Sequence, residues 1–234
     1  MERTPSAGRP GQGSTATNLY IMKPSSSDHA PRRLTAKGAA TKARILKAAN
    51  QLMYERGVVA TTLADVRSAS GTSKSQLYQH FVDKDALVNE VIAQRGEDVL
   101  TPQRQRLQRV DSFRGLELWR DELVERNALR DGAYGCPLGS MASELADQDE
   151  TARIAIADHF DDWLSMLTDA ITAMKDRGVL REDADARALA SGLLAALQGG
   201  YLLAQTARDV YPMRVALDMA IAHVRTFSAE PPID

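Results

Sequence analysis

The chain is poor in cysteine, in aromatic residues and in strand-like patterns, and each shortage narrows its class. One cysteine in 234 residues, Cys136, excludes an intramolecular disulfide framework and fits a reducing cytoplasm. Aromatic residues make up 5% of the chain while Ala and Leu abound, which favours helix over sheet. No stretch alternates as a half-buried strand does, and none repeats internally. The sequence has no phosphate-binding glycine loop, no nucleophile elbow and no paired catalytic carboxylates. Asp158-His159 with Asp161 and Asp162 is its one His–carboxylate cluster, and it lacks the second His of a metal signature. Those carboxylates read as a solvated helix flank, so the expectation is no catalysis, no cofactor and no metal.

A membrane-type run is also missing. Ala188 to Ala207 holds 20 residues without a charge, as long as a bilayer span. It contains Ser191, Gln198, Gln205, Thr206 and three glycines, and Ala dilutes its hydrophobicity. A water-soluble helix that is apolar nearly all round must be buried on two sides. The first 35 residues lack the continuous apolar core of a signal peptide.

Charge is nearly balanced overall, at −2, but unevenly placed. Residues 1–80 carry 12 Lys/Arg against 4 Asp/Glu, and residues 81–234 carry 17 against 27. A basic head on an acidic body marks contact with a polyanion at one end.

Residues 1–35, rich in Ser, Gly, Pro and Thr, read as a disordered arm. Two readings of it stand: Arg3, Arg9, Lys23, Arg32 and Arg33 track phosphates, or translation starts at Met22. Residues 36–84 read as a DNA-binding head, 85–228 as a helical body and 229–234 as a tail. The first helix spans Ala36 to Arg56, with Ile45, Ala49, Leu52 and Met53 inward and Lys42 and Lys47 outward, and Gly57 closes it. In the stretch TTLADVRSASGTSKSQLYQHFVDK, Thr62 with Asp65 forms a capping pair, Gly71 makes a turn and Ser73 caps a second short helix. Leu77, Tyr78 and Phe81 give that helix its apolar face, so Lys74, Ser75, Gln76, Gln79 and His80 project away from the core. Asp83 caps the next helix, expected to stop at Thr101 ahead of Pro102. Helices from Phe113 to Arg130, Leu138 to Leu145, Asp149 to Arg177, Asp185 to Arg208 and Tyr211 to Ser228 complete nine. The architecture is all-α.

A short helix held against a partner and showing Lys, Ser, Gln and His outward suits a DNA major groove. The run resembles the DNA-binding domain of the TetR family of transcriptional regulators in Thr62, Val66, Gly71, Ser73, Lys74, Leu77, Tyr78, Phe81, Lys84 and Leu87. Arg67, Ser70 and Thr72 depart from the family's usual Ala or Val, departures expected to loosen the first short helix slightly. GCPLGSMASELADQDETAR and SKSQLYQHF with VDKDALV also resemble the branch of repressors of drug- and flavonoid-response operons. The resemblance implies a bacterial, nucleoid-associated repressor that binds a palindromic operator as a homodimer and is released by a small hydrophobic effector. The DNA-contact set is then Lys37, Thr62, Ser73, Lys74, Ser75, Gln76, Tyr78, Gln79, His80 and Lys84. The last two helices resemble the family's dimer bundle, with Leu193, Leu194, Ala195, Leu197, Leu217, Ile221 and Val224 at the interface and Gly192, Gly199 and Gly200 permitting close approach.

An effector cavity would draw on Trp119, Leu123, Met141, Trp163, Leu167, Met174, Gln198 and Tyr201, which lie on inward stripes and otherwise simply fill the core. Cys136 has two readings: a sensor of electrophiles or oxidants at a helix N-terminus, or a small core residue. A thiol-based regulator, and a helical ligand-binding protein without operator recognition, are the rival functions.

Overall fold

The computed structural model describes residues 35–229. The N-terminal arm with its five basic residues, the alternative start at Met22 and the tail beyond Ala229 lie outside them. Among the described residues nine helices follow one another: α1 (Ala36–Arg56), α2 (Leu63–Ser70), α3 (Lys74–His80), α4 (Lys84–Leu107), α5 (Phe113–Ala128), α6 (Pro137–Leu145), α7 (Glu150–Asp176), α8 (Ala186–Ala207) and α9 (Tyr211–Arg225). There is no strand among them; one isolated bridge pairs Leu180 with Ser228. None of these helices is long and apolar enough to cross a membrane.

The helix starts follow local chemistry. Thr35 caps α1 by accepting from the Gly38 N–H. Both α2 and α3 open with full capping boxes, Thr62 with Asp65 and Ser73 with Gln76. Asp83 caps α4 through the Ala86 N–H at 2.8 Å. Gly71, between α2 and α3, has a φ of 62°, the left-handed conformation glycine adopts at no steric cost. The unusual Ser70 and Thr72 flank it; both are buried, and their hydroxyls bond each other at 2.8 Å, a contact that works against the expected loosening of α2.

The expected break at Pro102 does not occur, for α4 continues to Leu107 with Pro102 inside it. The missing N–H deprives the Asp98 carbonyl of its donor. Gln103, the next residue, and Leu107, a little over one turn further on, are buried, and that burial outweighs the lost rung.

Two apolar clusters result, and α4 serves both. Leu87, Val88, Val91 and Ile92 pack with Ile45, Met53, Val66, Leu77 and Phe81. Leu100 and Leu107 pack with Trp119, Trp163, Leu167 and Ile171. The first cluster also includes Met141 and Leu145 of α6 and Ala152 and Ile156 of α7. Halfway along α4, Gly96 lets α7 lie close: a Cβ there would meet the His159 ring at 2.2 Å.

Candidate functional site

On α3, Leu77 and Phe81 are buried and Lys74, Ser75, Tyr78 and Gln79 are exposed. Tyr78, which spacing grouped with the inward residues, is 48% exposed, and Lys74 Nζ lies 6.0 Å from its ring centroid. Gln76 is not a free reader. Its Oε1 accepts from the Ser73 N–H at 2.9 Å, which holds the side chain at the cap. Thr62 and Ser73 are likewise occupied as caps, which places them at the starts of α2 and α3. His80 ends α3 half-buried, its ring 6.5 Å from that of Phe81. Lys84 donates to the Val59 carbonyl at 3.3 Å, tying the start of α4 to the loop before α2. Lys37 is exposed in the first turn of α1, and Lys42 pairs with Glu90 at 2.6 Å.

A cavity of about 300 Å³ lies where α1, α4, α5, α6, α7 and α8 converge. Of the residues expected to line it, Leu123, Trp163 and Tyr201 do so. Trp119 stands behind the wall, its Nε1–H donating at 2.9 Å to Gln103, which is in it. Leu167 and Met174 belong to the body's core, and Met141 belongs to the cluster beneath the head. Gln198 sits beside Gly139 with a buried Nε2 that has no partner.

Sequence reasoning missed the polar wall: Asn50 and Tyr54 from α1, Arg95 and Asp98 from α4, and Arg126, Asn127 and Arg130 from α5 and its end. A signal existed. Leu87, Val91 and Arg95 recur every four residues on the buried face of α4, so the helical period puts an arginine where an apolar residue is due. Arg95 bonds Asn50 through Nε at 2.7 Å and Nη2 at 2.9 Å, and Arg130 donates to the Tyr54 hydroxyl at 3.1 Å. Burial pushes the Tyr54 and Tyr201 hydroxyls up from their ordinary pKa, so both remain protonated.

Cys136 also lines the cavity, and it is 4% exposed. Burial pushes its thiol up, against the opposing effect of the Gly139 and Leu138 amides. A scarce thiolate makes a poor nucleophile. These surroundings lend the sensor reading no support and give Cys136 the place of a small buried residue in the cavity wall.

The last two helices divide differently from expectation. Leu193, Leu197, Leu217, Ile221 and Val224 are buried in the chain's own core, so their side chains are already taken. Leu194 is half-buried and Ala195 exposed. The outer apolar face is instead Ala195, Leu202 and Leu203 on α8 with Tyr211 and Met219 on α9. Gly200 serves contact within the chain: a Cβ there would come within 2.9 Å of the Met213 Cα, whereas Gly192 and Gly199 meet nothing.

A capped helix–turn–helix with a polar outer face, mounted on a helical body, defines a DNA-binding regulator. Residues 45–91 match the model of bacterial regulatory proteins of the tetR family, and residues 113–219 match the C-terminal domain of LmrA/YxaF-like transcriptional regulators. The chain belongs to the TetR family of transcriptional regulators. It is 26% identical over 184 residues to an HTH-type transcriptional regulator in the lacX 3' region of Lactococcus lactis, covering 76% of this chain and 90% of that one. YxaF of Bacillus subtilis is 26% identical over 196 residues, 82% of this chain and 98% of YxaF. TtgR of Pseudomonas putida is 38% identical over 61 residues, which is 26% of this chain and 29% of TtgR. A TetR-family regulator from Cytophaga hutchinsonii superposes with a TM-score of 0.72 at 16% identity, over 85% of this chain and all of that one.

Proposed function

We propose that the chain is a homodimeric repressor whose grip on a palindromic operator is controlled by a small molecule bound in the cavity. One observation carries this reading: the cavity wall includes Asn50 and Tyr54 of the head's own first helix. A molecule entering there touches head and body together, and it shifts the balance of states by its differential affinity for them.

Residues 36–84 act as the reading head. Ser75 and Gln79, with Tyr78, face the base edges, Gln being suited to adenine. Lys37, Lys74, Lys84 and the capped starts of α2 and α3 meet phosphates. Gln76 and His80 hold the frame of α3. The exposed apolar face of α8 and α9 meets its copy across a twofold axis, so that two α3 helices enter grooves about 34–36 Å apart or a multiple of that. No catalytic role is assigned to any residue.

Footprinting on the DNA upstream of the chain's own coding region tests operator recognition. Protection of a symmetric site, lost in Gln79→Ala with non-specific binding retained, is the expected result; protection without symmetry would remove the dimer from the reading. Leu203→Glu places a charge in the outer face, and sedimentation should then show a folded monomer with weakened operator binding. Control by a ligand has its own test, because linkage is reciprocal. A molecule that changes tryptophan emission must bind more weakly when operator is present, by the factor with which it weakens operator binding.

A further inference from the structure

Arg95 is the group in the cavity whose presence needs a reason. It is 2% exposed, and it takes part in no ion pair among the described residues. Its three hydrogen bonds go to neutral oxygens: Asn50 Oδ1 at 2.7 Å, the Asn50 carbonyl at 2.9 Å and the Pro137 carbonyl at 3.3 Å. A guanidinium carries five N–H donors, so about two remain unused. A buried cation that no carboxylate pairs with is costly; burial, against the weaker opposing effect of Tyr54 and Glu144, pulls its pKa below the usual arginine range. Arg126 and Arg130 bring two more guanidiniums to the wall, against the carboxylate of Asp98. The cavity is thus a cationic recess with three aromatic rings in its wall, those of Tyr54, Trp163 and Tyr201, set among aliphatic and amide groups. Two further wall atoms are buried with no partner, the donor Trp163 Nε1 and the acceptor Asn127 Oδ1.

We infer that the cavity takes a small aromatic carboxylate, its anionic end held by Arg95 and Arg130 and its ring by Tyr54, Trp163 and Tyr201. A carboxylate supplies the missing counter-ion and accepts the unused guanidinium donors in a planar fork. The Trp163 N–H takes a further acceptor on the ligand, and a ring hydroxyl satisfies Asn127. At about 300 Å³ the space is at the small end of ligand sites and fits one or two rings. The same anion binds the guanidinium that holds Asn50, so its arrival acts beside a contact between α4 and the head's α1. This inference rests on the cavity being the effector site.

The test compares 2-naphthoate with 2-naphthamide, which share rings and size and differ in charge, against the full chain without DNA. Calorimetry and tryptophan emission should show the acid binding at least about tenfold tighter than the amide. Arg95→Gln should erase that preference. Arg130→Gln, at an exposed position, should reduce it, and it keeps the test decisive if circular dichroism shows Arg95→Gln to be unfolded. Equal binding of acid and amide, tighter binding of the amide, or no binding of either overturns the inference. A mobility shift on the operator separates the two readings. Naphthoate that binds without releasing operator leaves the ligand class standing and removes ligand control, whereas release by the amide alone does the reverse.

Discussion

Head and body are held by different means. In the head every helix start is closed by a side chain: Thr35, Thr62, Ser73 and Asp83. In the body Ser112, Asp149 and Asp185 cap α5, α7 and α8, but α6 and α9 begin at Cys136 and Val210 with no side-chain cap, and each has a proline in its first turn instead. For the two shortest helices of the head, the need for a cap follows from length. Helices α2 and α3 have 8 and 7 residues, too short to persist alone, so their ends must be locked. Helix α7 has 27 residues and is capped too, Asp149 accepting from the Ala152 N–H at 3.0 Å, but its long buried stripe leaves most of its hold to tertiary packing. The head's core is not closed on itself, for Met141, Leu145, Ala152 and Ile156 complete it from α6 and α7. Helix α6 thus touches the cavity at one end, through Cys136 and Pro137, and the head at the other. Its Glu144 accepts from the Val58 N–H at 2.7 Å and the Val59 N–H at 3.2 Å, just ahead of α2.

The largest effect that can break this comparison comes from Phe81→Ala. Phe81 is buried in the shared core, and its truncation should cost about 3–5 kcal/mol. Both tryptophans lie in the body, on α5 and α7. If the core is shared, denaturant unfolding followed by tryptophan emission should shift as far as unfolding followed by circular dichroism. An unchanged tryptophan midpoint would make the head an independent unit. Glu144→Ala comes next, at about 1–3 kcal/mol for leaving a buried N–H without its acceptor. Operator affinity should change with it, and Glu144→Gln, which keeps an acceptor oxygen, should restore most of both. Stability lost at constant operator affinity would confine Glu144 to holding the fold.

The same contrast decides how far the sequence could be read. Caps are local, so Thr62 with Asp65, Ser73 and Asp83 were recognisable as helix starts, and the first helix is found at its expected Ala36–Arg56. The body's choices are not local. Helices α8 and α9 are apolar on more than one side, and periodicity cannot say which side the chain keeps for its own core; Leu193 and Ile221 go inward while Leu203 and Met219 stay out. Pro102 reads as a stop because the favourable burial of Gln103 and Leu107 depends on residues far away in sequence. The cavity was half legible for a related reason. A search for apolar stripes finds Leu123 and Trp163, but the wall owes its charge to Arg95, Asp98, Arg126 and Arg130, and part of its polarity to Asn50 and Tyr54 of a helix assigned to the head.

A smaller effect sharpens the role of the caps. Ser73→Ala and Asp185→Ala each remove a side-chain cap, of α3 and α8, and each should cost about 0.5–2 kcal/mol. Only the first should also weaken operator binding, because α3 has no length to spare and Ser73 also organises Gln76. Equal operator affinity in the two variants would mean that packing of Leu77 and Phe81 alone sets the orientation of α3.

The smallest effect is a pH dependence, and it distinguishes the regions by what each carboxylate holds. In the body, the hydrogen bond from Arg106 keeps Glu122 below its ordinary pKa of 4.5. In the head, the Thr62 hydroxyl and amide do the same for Asp65. A carboxyl whose pKa is depressed on folding adds stability that is fully present above its ordinary pKa and is lost as pH falls through the folded value. Both groups therefore contribute at pH 7, and both contributions fade in the acid range. Glu122→Gln should flatten the fall of stability with pH below about 4.5 and leave operator binding at pH 7 unchanged. Asp65→Ala should flatten it too, but by removing half of the capping box of α2 it should also weaken operator binding at neutral pH. Thermal unfolding followed from pH 3 to pH 7, with a mobility shift at pH 7, measures both. An acid limb unaltered by Glu122→Gln would mean that the Arg106 contact is as favourable in the unfolded chain as in the folded one.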